Sequence, residues 1–228
     1  MNVELNITMR CNCACPGCNR LIPQYPERTE DIDPAAVEQF IAEAKEHGHV
    51  NRVKVVGGEP LLHPQFSRIA EILADGIQQG AIQSVKIDTN GTLPKPPLPA
   101  VPGMRYAGRQ PGAKRHLPFL HSPIDLGHAV VGPCSMPFRC GVSLDARGWL
   151  PCSSAIMIAR LFGCEHLYRQ HLPAAADWGF EELCPDCAFA MPAAWRAEHA
   201  KALRDFTEED RTPSERWKAR LWSDTTKP

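Results

Sequence analysis

Val3, Leu5, Ile7 and Met9 alternate with polar residues at the start of the chain, the period-two signature of a strand with one buried face. Asp33-Pro34 then reads as an N-cap followed by proline at the first helical position. Val37, Phe40, Ile41 and Ala44 repeat at helical spacing until Gly48 ends the run. Residues 52–56 form a short apolar strand that runs into Gly57-Gly58-Glu59-Pro60. Phe66, Ile69, Ala70 and Leu73 mark one face of a second helix, closed by Gly76 and Gly80. Ser84 to Asp88 is a third strand and leads into Thr89-Asn90-Gly91-Thr92. Strands alternating with helices in this way build a parallel sheet. Each strand hands a polar or glycine-rich loop to the same sheet edge, the edge at which open α/β sheets hold ligands.

The pattern breaks at Pro94, Pro96, Pro97, Pro99 and Pro102, which exclude a regular helix or a central strand. Met104 to Ala107 fits a fourth strand, and residues 111–133 carry no assignable period. Residues 141–150, with Asp145-Ala146-Arg147-Gly148 at their centre, read as a β-hairpin. Trp195, Leu203 and Phe206 form an apolar stripe further on, and Thr212-Pro213-Ser214-Glu215 is a capping box that opens a last helix. These breaks divide the chain into an α/β core over residues 1–130, a small unit over 131–190 and a helical tail over 191–228.

The 228 residues suit one large domain or two small ones. Lys plus Arg total 25 and Asp plus Glu 26, a balance that demands neither nucleic acid nor an anionic membrane as partner. The basic residues around Trp217 and Trp222 are interspersed with Glu and Asp, as on a solvated amphipathic helix rather than a nucleic-acid arm. No run approaches the ~18 apolar residues of a membrane span, and no charged segment followed by an apolar one marks a secretory signal. Ten cysteines without such a signal imply a reducing, cytoplasmic setting in which thiols serve metals rather than disulfides.

The cysteines fall in two sets. Cys11, Cys15 and Cys18 follow the first strand in the spacing Cys-x3-Cys-x2-Cys. A structural zinc site closes with four ligands, so a zinc reading needs a fourth from elsewhere. A [4Fe–4S] cubane takes four cysteines when closed; held by three, it keeps one iron open to a further ligand. Gly57-Gly58-Glu59-Pro60, a tight turn in its own right, adds close backbone and a carboxylate on the same edge, suited to a positively charged amino group. The second set is Cys134, Cys140, Cys152, Cys164, Cys184 and Cys187, in which Cys184-x2-Cys187 is a general metal signal open to zinc as well as iron. Cys13 is out of register with the first set and, like Cys140 and Cys164, reads as a buried thiol. No two histidines stand at metal spacing. His63 reads as a packed or surface residue, and Arg105 and Arg109 as surface cations with the reach to hold a carboxylate.

Cys11-x3-Cys15-x2-Cys18, Gly57-Gly58-Glu59-Pro60 and Asp88-Thr89-Asn90-Gly91-Thr92, in this order at successive strand ends, resemble the radical S-adenosylmethionine (radical SAM) superfamily over the first ~90 residues. The resemblance implies that Cys11, Cys15 and Cys18 hold a [4Fe–4S] cluster whose free iron chelates S-adenosylmethionine. It implies that Gly57, Gly58 and Glu59, with Pro60, receive the amino group, and that Asp88, Thr89 and Asn90 line the ribose side. It also implies a 5′-deoxyadenosyl radical that removes an unactivated substrate hydrogen, the cofactor carrying the bond chemistry and the protein the positioning. Where the family usually has an aromatic residue before the third cysteine, this chain has Gly17, a departure that bears on adenine stacking and not on the cluster.

The second set, with its hairpin between cysteines and its later Cys-x2-Cys, resembles the twitch unit, a short form of the SPASM domain. This implies a second [4Fe–4S] cluster on Cys134, Cys152, Cys184 and Cys187, with Cys140 the rival for the first position. The implied fold is α/β, a shortened partial (β/α) barrel with a small β-hairpin and helical auxiliary-cluster domain. The implied activity is that of a radical SAM enzyme whose auxiliary cluster accepts an electron, oxidising a small molecule or peptide side chain. Two alternatives stand beside it. One is a redox-neutral isomerase, cyclase or epimerase acting on a nucleotide or metabolite; the other is a non-catalytic iron–sulfur or zinc module. The expected partners are that substrate and a flavodoxin- or ferredoxin-type reductant, with no membrane and no nucleic acid.

Overall fold

A computed structural model of the chain describes residues 1–13, 20, 22, 29–48, 50–107, 134, 136–172, 183, 184, 187 and 219. The tail expected over 191–228 lies almost wholly outside the described residues, as do residues 108–133 and Arg109. Strands β1 (Asn2–Asn6), β2 (Arg52–Val56), β3 (Val85–Ile87) and β4 (Met104–Tyr106) pair in parallel in chain order. Helices α1 (Pro34–His47) and α2 (Phe66–Gln78) make the first two crossovers. The chain is α/β, as the alternation of strand and helix periods predicts. Asp33 caps α1 by accepting from Ala35 N at 2.9 Å, with Pro34 behind it. The third crossover is the proline segment, which holds neither helix nor strand because its five prolines lack the N–H groups that either would need.

A short helix, α3 (Met136–Arg139), precedes two more strands. Strand β5 (Val142–Asp145) pairs parallel with β1, and β6 (Gly148–Leu150) pairs antiparallel with β5, so the sheet runs β4-β3-β2-β1-β5-β6. The expected hairpin is present, its turn held by Arg147 N donating to Asp145 Oδ1 at 2.8 Å. Its partner is not local: the hairpin continues the N-terminal sheet. Gly141 permits that junction, because a Cβ there would lie 2.0 Å from Asn2 O at a φ of +99°. Strand order therefore reverses at β1, and such a reversal opens a crevice beyond the carboxyl ends of the strands.

The two faces of the sheet differ in chemistry. Val3, Leu5, Val53, Val55, Val85, Ile87, Val142 and Leu144 pack with Val37, Phe40, Ile41 and Ala44 of α1 and Phe66, Ile69, Ile72 and Leu73 of α2. Phe40 meets Trp149 of β6 edge to face at 5.4 Å, an arrangement worth about 1 kcal/mol beyond its buried area. In register on the other face stand Ser143, Glu4, Lys54, Lys86 and Arg105. Helix α4 (Ser153–Phe162) covers the hairpin end of that face through Leu150, Ile156, Ile158 and Leu161. This helix has no signal in the sequence. Eight of its ten residues are buried, so it shows no polar stripe from which a 3.6-residue period could be read.

Candidate active site and cysteine cavity

The chain leaves β1 and returns to it. Ile32 N donates to Ile7 O at 2.9 Å and Met9 N to Glu30 O at 2.8 Å. Asp31 accepts from Arg10 Nε at 2.8 Å and from Thr8 Oγ1 at 2.5 Å. Both ends of the loop bearing Cys11, Cys15 and Cys18 are thus pinned at the carboxyl end of β1. Cys11 is half-buried, and its Sγ accepts from Cys13 N at 3.4 Å. Cys15, Gly17 and Cys18 lie outside the described residues.

The loop after β2 lies along the start of this cysteine loop: Gly58 N donates to Thr8 O at 2.8 Å and Glu59 N to Arg10 O at 2.7 Å. Glu59 is fully buried. Its Oε1 accepts from Leu61 N at 3.1 Å, capping the 3-10 turn Pro60–Leu62, and its Oε2 accepts from Asn90 N at 2.6 Å. The carboxylate expected to face an amino group is committed to two backbone donors, and what it lends the site is a fixed backbone. Asn90 Nδ2 donates to Asn12 Oδ1 at 2.9 Å, and Asn90 Oδ1 accepts from Thr92 N at 2.9 Å. Asn12 Nδ2 in turn donates to Thr92 Oγ1 at 2.8 Å. Thr89 is buried and accepts from Gly91 N at 3.2 Å. Asp88 turns to the face that carries Glu4 and Lys54, 3.1 Å from Lys54 Nζ. The three strand-end loops are therefore hydrogen-bonded to one another. Asn12 and Thr92 join the site although only their place within its motifs marks them in the sequence.

His63, next to the Glu59 turn, is a packed residue. It is 4% exposed, its Nδ1 accepts from Gln65 N at 3.0 Å, and its Nε2 lies 3.0 Å from Ile32 O. Those partners place a proton on Nε2, so the ring bridges the two loops by donating from Nε2 and accepting at Nδ1.

Glu30 ties the returning loop to the hairpin. Arg147 Nε donates to it at 3.0 Å, Arg160 of α4 forms an ion pair with its other oxygen, and Arg160 Nη2 also reaches Asp145 Oδ2 at 2.7 Å. Burial pushes the Glu30 carboxyl up, but Arg160 and Arg147 outweigh it and hold it below the ordinary 4.5. A depressed carboxylate contributes stability above its unfolded pKa and loses it as pH falls through the folded value. Glu30→Gln is therefore expected to cost about 1–2 kcal/mol at neutral pH. In paired thermal melts that deficit should hold constant above about pH 6 and shrink away below about pH 4; a deficit unchanged in acid would assign the loss to packing.

The second cysteine set surrounds a cavity. Cys134, Cys152, Cys184 and Cys187 line it with Met136, Pro137, Pro151 and Leu183, and Cys140 is not among the lining residues. Cys152 is the N-cap residue of α4, and Cys187 N donates to Cys184 O at 3.0 Å in a tight turn. Burial, then the neighbouring Cys187 and Cys134 thiols, push Cys152 far above the usual thiol range. Burial and Cys134 push Cys184 up to about 11. Among the described residues no three His, Cys, Asp or Glu side chains close on one point as ligands of a single ion; these four thiols instead surround a shared space. Cys140 has Glu4, Lys54, Arg20 and Arg52 as its charged neighbours.

No helix among the described residues is long and apolar enough to cross a membrane. Residues 5–107 match the family model of the radical SAM superfamily. A probable GTP 3′,8-cyclase of Methanopyrus kandleri is 37% identical over 92 residues, 40% of this chain and 27% of the cyclase. An S-adenosylmethionine-dependent nucleotide dehydratase of Selenomonas ruminantium is 33% identical over 91 residues, 40% of this chain and 30% of that protein. The chain thus matches under a third of the length of either relative. The crystal structure of BtrN in complex with AdoMet and 2-DOIA is 16% identical, covers 67% of this chain and 73% of that one, and superposes with a TM-score of 0.44. Residues 5–107, the strand-end loops and the strands that carry them, are thus similar to the radical SAM superfamily.

Proposed function

We propose that the chain is a radical SAM enzyme that carries out a redox-neutral rearrangement, cyclisation or elimination on a nucleotide or nucleotide-like metabolite. The match to the superfamily implies a [4Fe–4S] cluster and S-adenosylmethionine. In this reading Cys11, Cys15 and Cys18 hold the cluster, and Gly57, Gly58, Glu59 and Pro60, through the backbone that the Glu59 carboxylate fixes, hold the cofactor with Asp88, Thr89 and Asn90. The observation that carries it is the bonding of three strand-end loops around Cys11. When bound, the cluster and S-adenosylmethionine supply a 5′-deoxyadenosyl radical that takes a hydrogen atom from the substrate. The chain's own residues orient and exclude. Gly58 brings backbone against Arg10 and Cys11 where a Cβ would lie 2.3 Å from Arg10 O. Glu59 holds Asn90, and Asn90 holds Asn12, so the loops cannot part independently.

The redox-neutral reading is favoured because the relatives are named as a cyclase and a nucleotide dehydratase. The second reading, oxidation with an auxiliary cluster as electron acceptor, draws on the four-thiol cavity. Four thiols around one cavity, with Cys152 and Cys184 held protonated by burial and by neighbouring thiols, suit a cationic iron–sulfur core, and a cubane bound by all four leaves no iron open to substrate. That arrangement suits electron transfer, or an anchor for the fold. In both readings a flavodoxin- or ferredoxin-type protein supplies the electron, in a reducing cytoplasm.

Anaerobic reconstitution tests the proposal. The expected load is about eight irons per chain by the cubane count, with 5′-deoxyadenosine and methionine formed on reduction with S-adenosylmethionine. A colourless chain with stoichiometric zinc and no deoxyadenosine would end it. Product mass then separates the readings, with GTP as the first substrate offered. An unchanged mass marks cyclisation or isomerisation, loss of water marks elimination, and loss of two hydrogens marks oxidation.

A further inference from the structure

Glu4 lies in the middle of β1, on the face turned away from α1 and α2, and is 2% exposed. A carboxylate in that position is costly unless paired. It has three partners: an ion pair with the Arg20 guanidinium, Lys54 Nζ at 3.7 Å, and a hydrogen bond from the Ser153 hydroxyl. Lys54 divides its charge, lying closer to Asp88 at 3.1 Å, so Arg20 is the principal cation.

The places of these partners in the chain matter. Arg20 stands two residues beyond Cys18, and Ser153 directly follows Cys152. One side chain therefore touches the exit of the first cysteine loop and the first residue of α4, whose N-cap lines the four-thiol cavity. Both contacts are buried, with Arg20 8% and Ser153 6% exposed. A buried ion pair adds little net stability over an apolar pair of the same volume, and its best-attested use is to fix register.

We infer that Glu4 is a positioning residue that holds the exit of the Cys11–Cys18 loop, through Arg20, and the start of α4, through Ser153, in one frame. The inference rests on the two-cluster reading. Glu4 contacts no reacting atom, and it acts through Arg20 on where the loop sits against the Gly57–Glu59 backbone.

The test uses the full chain, reconstituted and reduced. Glu4→Gln preserves shape and removes the charge. Electron paramagnetic resonance of the first cluster, titrated with S-adenosylmethionine, reports loop placement without turnover. The half-saturating concentration is expected to rise about tenfold in Glu4→Gln, with an altered line shape and an unchanged signal from the four-thiol cluster. Arg20→Gln should reproduce this shift, and Arg20→Lys, which restores a cation opposite Glu4, should recover most of the response. A Glu4→Gln titration that overlays the unmodified chain overturns the inference. Should Glu4→Gln not fold, the Arg20 pair decides: a tenfold separation between Arg20→Gln and Arg20→Lys supports the inference, and coincident titrations overturn it. An unmodified chain with no response at all sinks the cofactor reading itself, an outcome distinct from a normal response that survives the Glu4 change.

Discussion

Gly58→Ala is expected to abolish S-adenosylmethionine binding while leaving the sheet and its helices folded. An alanine Cβ at this position would lie 2.3 Å from Arg10 O, 2.8 Å from Arg10 C and 2.9 Å from Cys11 Cβ. Two of those atoms are backbone and the third begins a cysteine side chain, so nothing flexible can swing aside. Relief requires the loops after β1 and β2 to separate, which breaks the bonds from Gly58 N to Thr8 O and from Glu59 N to Arg10 O. Overpacking of this kind costs about 1–3 kcal/mol, and each lost hydrogen bond adds about 1 kcal/mol. The strain is confined to the loops, because the residues that would have to move, Arg10, Cys11 and residues 57–59, are not part of the apolar cluster between sheet and helices. Circular dichroism and thermal melting should show a folded chain, and equilibrium dialysis with labelled S-adenosylmethionine should show none retained. Undiminished retention would remove the loop after β2 from the cofactor site.

The second large effect separates the two cysteine sets. Cys11→Ala is expected to reduce deoxyadenosine formation to background, whereas Cys187→Ala should leave some cleavage uncoupled from substrate. Cys11 sits on the loop bonded to Gly58, Glu59 and Asn90. Cys187 packs in a different apolar cluster, with Leu150, Ile156, Ile158, Leu161 and Leu183. Emptying one site therefore leaves the other's framework standing. Iron content should fall from about eight to about four per chain in either variant, read by colorimetric assay beside quantified deoxyadenosine. Equal loss of activity in both, with a lowered melting temperature in Cys187→Ala, would assign the second site to folding.

The strands and helices up to β3 are legible because each announces itself over a few adjacent residues: alternation in β1, Asp33-Pro34 and Gly48 around α1, and one apolar face on α2. The first cysteine motif and the glycine turn are legible for the same reason. Strand β5 is also visible as half of a hairpin, yet its pairing with β1 depends on residues far away in sequence, and Gly141 shows the requirement only once Asn2 lies against it. Helix α4 is hidden because burial on all sides erases its period.

Glu59 and His63 show a subtler limit. A glutamate in a glycine turn can face a ligand or its own backbone, and only the arrival of Asn90 decides for the backbone. A histidine beside it is fixed as a structural donor only by the carbonyl of Ile32. Glu4 reads as a polar position on a half-buried strand, and its pairing with Arg20 and Ser153 joins three segments that no local pattern connects.

Residue order alone determined the parallel α/β core, the edge where its loops gather and the thiol sets available for iron, since short-range sterics and periodicity write those features into neighbouring positions. Tertiary structure decided which four thiols share a cavity, which carboxylates are spent on backbone, and that the hairpin extends the first sheet. Those outcomes turn on which distant groups meet out of water, where an unpaired charge or donor is too costly to leave, and contact of that kind exists only once the chain has folded.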